Sequence, residues 1–353
     1  MKVKLADVCT CESSNLKQSD VINISGKYPV YGATGKIGYV DTYKQEKPYI
    51  AIVKDGAGIG RTHLCDSKSS VIGTLQYILP KDNVLPEYLF YVIKHMHLEK
   101  YYSGATIPHI YFKNYKNEEF NLDSINKQET IINILNDCNK LIKLKETQLQ
   151  KYDDLIKARF IEMFGDPIIN SFRIETKPMT DVCEIIDGDR GKNYPTADEF
   201  FDEEYCLFLN AKNVTSTGFN FDTCMFVTKE KDEALRKGKL SRGDIVLTTR
   251  GTLGNLAFYT KAVPFEHVRI NSGMVILRMK QDIVDEMYFI EQFKMQLADI
   301  REKIASGSAQ PQLPISTMNK INILIPNIEK QRQFADFVRQ IDKSKYDDMY
   351  IKY

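Results

Sequence analysis

No tryptophan occurs among the 353 residues, and no apolar run approaches the roughly 20 residues that a membrane span requires. The opening stretch, MKVKLADV, lacks the apolar core of a secretory signal. Seven cysteines, an odd number, argue against a complete disulfide framework and for a reducing compartment. The expected location is therefore the cytoplasm, with no membrane contact. Charge of one sign is missing too: 48 basic residues face 47 acidic ones, for a net charge of +1. That excludes a nonspecific nucleic-acid coat, which needs a strong positive field. It leaves room for a sequence-specific reader whose partners supply much of the grip on phosphate.

Catalytic signatures are also absent. There is no Gly-x-Ser-x-Gly elbow, no Walker A loop and no His-Glu-x-x-His. The Asn/Asp-Pro-Pro-Tyr/Phe run with which an amino-methylating enzyme grips a flipped base does not occur. His63-Leu64-Cys65, His95-Met96-His97 and Cys9-Thr10-Cys11 lack the spacing of a zinc site.

What is present begins with one stretch, residues 126–164, that contains neither Pro nor Gly. Leu135, Cys138, Ile142, Lys145, Leu149, Tyr152, Ile156, Arg159 and Met163 recur there in alternating steps of three and four. A 3.5-residue period is the seam of a coiled coil. Asn126 and Glu129 read as a capping box, and Gly165-Asp166-Pro167 as the stop. A rod of roughly 58 Å follows at about 1.5 Å per residue, and one of its faces needs a partner.

The chain is also written twice. Asp7-Val8-Cys9 recurs as Asp181-Val182-Cys183, and Tyr88 as Tyr288. Lys127-Gln128 recurs as Lys330-Gln331. The offset grows from 174 (7 to 181) through 195 (56 to 251) and 200 (73 to 273) to 203 (103 to 306). Two halves of one design, the second carrying insertions before its glycine turn, account for this order. Residues 50–53 and 245–248 read as buried strands, as do 75–79 and 274–279. Residues 85–95 and 284–297 read as helices. A second seam helix follows Pro326 through Phe334, Phe337, Val338 and Ile341. It turns polar where Lys345 replaces Ile142, so it is expected to be short. The fold class is α+β: two similar mixed domains, 1–124 and 166–326, separated by long antiparallel coiled-coil helices at 125–165 and 327–353.

The turn Gly56-Ala57-Gly58-Ile59-Gly60 follows a strand and invites a nucleotide-binding reading. No helix opens after Arg61, so a hairpin turn is the expectation. The remaining candidates are polar loops mixing bases, amides and aromatics. The first half offers Thr34, Lys36, Arg61, Thr62, His109, Tyr111 and Lys113. The second offers Arg190, Lys192, Asn193, Lys212, Asn213, Thr249, Arg250, Gln310 and Gln312. Such side chains read base edges or hold phosphates.

The two-half layout, Pro29-Val30-Tyr31-Gly32-Ala33-Thr34-Gly35-Lys36, the loop Ser103-Gly104-Ala105-Thr106-Ile107-Pro108-His109 with its copy at 306–312, and the central ending Ala158-Arg159-Phe160-Ile161-Glu162-Met163-Phe164-Gly165-Asp166-Pro167 resemble a type I restriction–modification specificity subunit. The resemblance covers nearly the whole chain. It implies two target-recognition domains, each reading one part of a bipartite double-stranded DNA target, with the helices acting as a ruler and docking modification subunits, two in number. It implies that S-adenosylmethionine, ATP and Mg belong to the methyltransferase and the restriction/motor partner subunits, that this chain binds none of them, and that it catalyses nothing. Two other readings stay open on residues alone: a self-sufficient S-adenosylmethionine-dependent methyltransferase using Gly56–Gly60, and a coiled-coil adaptor that binds proteins.

Overall fold

The computed structural model describes every residue except 23, 24, 105, 106, 281, 306–311 and 350–353. The chain divides into two compact units, Met1–Leu144 and Lys145–Tyr353.

In the first unit, β1 (Lys2–Lys4), helix α1 (Leu5–Val8) and β2 (Cys9–Ser13) open the chain. The hairpin of β3 (Tyr28–Gly32) and β4 (Gly35–Val40) follows, then β5 (Tyr49–Val53), β6 (Thr62–Cys65), β7 (Ser70–Val71) and β8 (Leu75–Pro80). Helix α2 (Pro86–His95), helix α3 (Phe112–Tyr115) and β9 (Glu119–Asn121) lead into the long helix α4 (Ile125–Phe164). One sheet has the order β2-β8-β5-β6 and a second the order β4-β3-β7, while β1 pairs with β9.

The second unit repeats this plan. Its elements are β10 (Thr176–Pro178), α5 (Met179–Val182), β11 (Cys183–Asp187), β12 (Cys206–Leu209), the ribbon β13 (Val214–Thr215) with β14 (Gly218–Phe219), β15 (Phe226–Val227) and α6 (Lys229–Ala234). Then come β16 (Ile245–Thr248), β17 (Leu256–Phe258), β18 (Val268–Ile270), β19 (Met274–Met279), α7 (Glu286–Ala305), α8 (Ile315–Met318), β20 (Asn322–Leu324) and α9 (Ile328–Met349). The sheet orders are β11-β19-β16-β17 and β15-β12-β18, and β10 pairs with β20. Even a parallel pairing is shared, β3 with β7 and β12 with β18. The duplication faint in the sequence is thus complete in the topology, with β13, β14 and α6 among the insertions of the second half.

Strand alternation explains the layering. On β5, Ile50 and Ile52 face a core with Leu89 and Ile93 of α2, while Tyr49, Ala51 and Val53 face a second core shared with Val30 and Val71 of the other sheet. On β16, Ile245 and Leu247 join Phe289 and Phe293 of α7, while Val246 packs with Leu207 and Ile270. The strand is buried on both faces, so it reads as a continuous apolar run. Each such side chain contributes about 1.5–3 kcal/mol by leaving water.

Helix α4 has 40 residues, starting at Ile125 as the 125–165 boundary expects and one residue ahead of Asn126. The Gln128 amide N–H donates to Ser124 O at 2.9 Å, which puts Asn126 inside the first turn, so the expected capping box is not the start signal. The end is as read: Gly165 has φ +75°, and a Cβ there would stand 2.4 Å from Ser171 Oγ. Helix α7 runs beyond the expected 297, whereas α2 stops at His95 because His97 takes φ +51°.

The 145–164 part of α4 packs antiparallel to α9. Phe160 and Phe164 meet Phe334 at ring separations of 5.4 and 5.7 Å, Arg159 lies 6.0 Å from the Phe337 ring, and Asp153 pairs with Lys345 at 2.7 Å. Burial disfavours the charge on Lys345, but Asp153 and Asp342 outweigh it and hold the ammonium above the usual lysine range. The polar seam position is therefore an ion pair between the two helices. Tyr288 of α7 completes a buried aromatic cluster, 5.4 Å from Phe160 and 4.9 Å from Phe164. Phe160→Ala is expected to destabilise the second unit by about 3–5 kcal/mol, measured by chemical denaturation.

Candidate nucleic-acid interface

Three polar segments meet in the first unit. The tip of the β3–β4 hairpin carries Thr34, and Lys36 follows on β4. Arg61 Nη1 donates to Ala33 O of that tip at 3.0 Å, and His63 Nε2 lies 3.1 Å from the same oxygen. Lys36 lies 3.6 Å from Asp66 and sits over the rings of Tyr31 and Tyr39 at 5.8 and 6.0 Å. Burial and a hydrogen bond to Asp66 push the Tyr31 hydroxyl up to about 12, so it stays a donor at neutral pH. Thr62 is half-buried on β6 beside Arg61.

The glycine turn bridges this group to the third segment. It joins β5 to the antiparallel β6, so it is a hairpin connection with no helix N-terminus behind it. That removes the context in which such a turn cradles a nucleotide. Gly56 N–H donates to Pro108 O at 3.0 Å, and Ile110 N–H to Lys54 O at 2.9 Å. Beside these, His109 Nδ1 lies 2.6 Å from Asp55 Oδ1. The His109 ring stacks on Tyr111 at 6.2 Å, and Lys113 lies 5.4 Å from the Tyr111 ring.

The second unit builds the same backbone crossing with different side chains. Leu313 N–H donates to Thr249 O at 3.0 Å, and Arg250 pairs with Gln312 in an isolated bridge. Gly251 and Gly254 take positive φ as Gly56 and Gly60 do. Arg250 and Gln312 are exposed. Thr249 is not, and its hydroxyl donates to Gly273 O at 3.0 Å. Asn213 is likewise fully buried, its amide donating to Asn220 O and Thr223 O. Both of these candidates spend their polar atoms inside the fold. Gln310 lies outside the described residues.

A further group gathers at the 187–193 loop. Arg190 is tied to Asp187 at 3.1 Å and to Ser272 O at 3.2 Å, Lys192 is exposed, and Asn193 donates to Ala234 O at 2.9 Å. Backbone N–H groups of Gly191 and Arg236 donate to Asp189 at 2.7 Å each and hold its carboxyl below the usual range. Arg236, Lys237, Lys239 and Arg278, none of them among the residues expected from the sequence, line a cleft of about 680 Å³ next to it. The run Arg236-Lys237-Gly238-Lys239 was the available signal. Acidic residues Glu184 and Asp187 share the cleft, so it is not uniformly positive. Lys212 lines a separate cleft of about 410 Å³ with Ser216, Thr252, Asn255 and Arg301.

Beneath the basic run, Asp232 is buried and accepts from both Lys239 and Arg269. Burial opposes its charge, but the two cations outweigh it and hold the carboxyl below the usual value. Among the described residues no group of three or more His, Cys, Asp or Glu could hold a metal. No helix among them is long and apolar enough to cross a membrane.

Comparison with known proteins bears on this geometry. The family described as "Type I restriction modification DNA specificity domain" matches residues 1–151 and 173–347. The type I restriction enzyme MjaVIII specificity subunit of Methanocaldococcus jannaschii is 23% identical over 312 residues, covering 83% of this chain and 72% of its own length. The MjaIX specificity subunit of the same organism is 22% identical over 285 residues, covering 75% of this chain and 64% of its own length. The crystal structure of the type I restriction–modification S subunit from M. genitalium matches with a TM-score of 0.58 at 16% identity, over 99% of this chain and 91% of that one. This last likeness speaks for the fold.

Asp232→Asn leaves Arg269 without its countercharge and is expected to cost about 3–5 kcal/mol, read by denaturation at pH 7. The folded carboxyl titrates below its unfolded value. The native pair therefore stabilises fully above a pH of about 4 and fades as pH falls further. The variant should lack that acid-side loss.

Proposed function

Because the chain belongs to the type I restriction–modification DNA specificity family, we propose that each unit reads one half of a split double-stranded DNA target and that α4 with α9 serves as the spacer. The chain is a DNA specificity subunit, a recognition component and not a catalyst. The observation that carries the split-target reading is that one two-sheet plan is built twice, around different surface side chains, on a single helix of 40 residues.

The hairpin tip with Thr34 and Lys36, together with Arg61 and Thr62, forms the first reading surface, with His109, Tyr111 and Lys113 beside it. Arg190, Lys192, Asn193, Lys212, Arg250 and Gln312 form the second. Arginine and amide side chains reach base edges, and lysines hold phosphate. Ile134, Leu141, Ile142 and Leu144 of α4 are 56–61% exposed, and the face shared by Ile134, Leu141 and Ile142, at i, i+7 and i+8, is the docking face for a modification subunit. The duplicated plan offers places for two. S-adenosylmethionine, ATP and Mg reside on those subunits and on the motor subunit. The complex works in the cytoplasm.

Arg250→Ala is expected to weaken binding by about 1–3 kcal/mol and to relax one position of the target, read by binding to a set of single-base variants. Unchanged affinity and preference would remove this loop from the surface. Deleting four residues within 143–151 shortens α4 by about 6 Å and turns it by roughly 40°. The gap between half-sites should then shrink by about two base pairs at roughly 3.4 Å each. Mapping of methylated adenines in cells checks this, and an unchanged gap would rule out α4 as the spacer.

A further inference from the structure

Two buried glutamines do the same thing in the two units. Gln128 on the first turn of α4 is fully buried. Its Oε1 accepts from Leu85 N–H at 2.8 Å, and its Nε2 donates to Asn83 O at 3.2 Å and Asp123 O at 2.9 Å. Gln331 on the first turn of α9 is fully buried too. Its Oε1 accepts from Asp285 N–H at 3.0 Å, and its Nε2 donates to Ile283 O at 3.2 Å and Pro326 O at 2.8 Å. Each partner is the repeat counterpart of the other, 83 to 283, 85 to 285 and 123 to 326.

Each amide thus ties three backbone segments: the loop before α2 or α7, the N-terminus of that helix, and the link from β9 or β20 into the spacer helix. A tyrosine adds a second tie. Tyr88 donates to Asn121 O at 3.2 Å, and Tyr288 to Leu324 O at 3.1 Å. A fully buried amide that satisfies both donors and its acceptor on main chain has no freedom to turn.

We propose that Gln128 and Gln331 are positioning residues that set the angle at which each two-sheet recognition domain leaves its own spacer helix, and so the gap length the protein accepts. The proposal rests on the reading of the chain as a split-target DNA subunit. The magnitude is sufficient. At the end of a lever of roughly 30 Å, a tilt of about 10° moves the reading surface by about 5 Å, more than the roughly 3.4 Å of one base pair.

The test is Gln128→Ala in the full chain, with its partner subunits for the DNA arm. The first readout compares methylation of the natural target with targets whose gap is one base pair longer or shorter. The discrimination ratio is expected to fall at least fivefold while the half-site sequences preferred stay the same. An equal loss of methylation at every gap length, with the ratio intact, would overturn the proposal and leave Gln128 a purely structural residue. The second readout needs no DNA. Spin labels on Cys138, the exposed cysteine of α4, and on Ser67→Cys, in a chain with Cys11→Ser and Cys224→Ser, report the distance between helix and recognition domain. The variant is expected to broaden that distance distribution, and an unchanged distribution would overturn the proposal. Where Gln128→Ala does not fold, Gln128→Met keeps the side-chain length and loses the acceptor and both donors, and the same two readouts apply. Should the unaltered complex show no split-target preference, the functional reading fails, while the label distances still decide whether the amide fixes the angle.

Discussion

A helix of 40 residues with an apolar seam cannot satisfy that seam by itself. This constraint shapes the molecule. In the second unit α9 covers it: Ile156, Phe160 and Phe164 are buried with Phe334 and Val338, and Lys345 meets Asp153 where the seam turns polar. In the first unit Ile132 packs into the domain core, but Ile134, Leu141, Ile142 and Leu144 stay open to solvent. Four large apolar side chains on one helix stretch of a folded protein call for a partner. The proposed docking of a modification subunit would give them one.

Duplication does a second kind of work. The two units share sheet order, parallel pairing, glycine turns, the crossing of residues 109–110 or 312–313 with the turn, and the buried glutamine. What differs is the chemistry displayed on that frame. Asp55 and His109 occupy the crossing in one unit, and Arg250 with Gln312 in the other. A frame held by main-chain bonds can change its surface side chains without changing its shape, which suits the proposed reading of two different half-sites.

Polar residues in loops were the weakest part of the sequence reading, for a physical reason. Asn213 and Thr249 sit in segments as polar as those holding Lys212 and Arg250, yet their side chains close turns inside the fold. An amide that reads a base and an amide that satisfies buried main chain carry the same local signal. Gln128 shows the converse: in the sequence it was only a repeat marker beside Lys127, and three bonds to residues 83, 85 and 123 give it a role.

The sequence by itself determined the repeat, the long helix with its glycine stop, the buried strands and the hairpin character of the glycine turn. These depend on local conformational preference and on periodicity, which neighbours along the chain carry. Only the tertiary structure decided which loops converge, that a buried acid anchors the 236–239 run, and that the helix start belongs to Gln128 rather than to a capping box at Asn126. Those outcomes depend on hydrogen-bond partners dozens of residues away, and no local pattern encodes where such partners will lie.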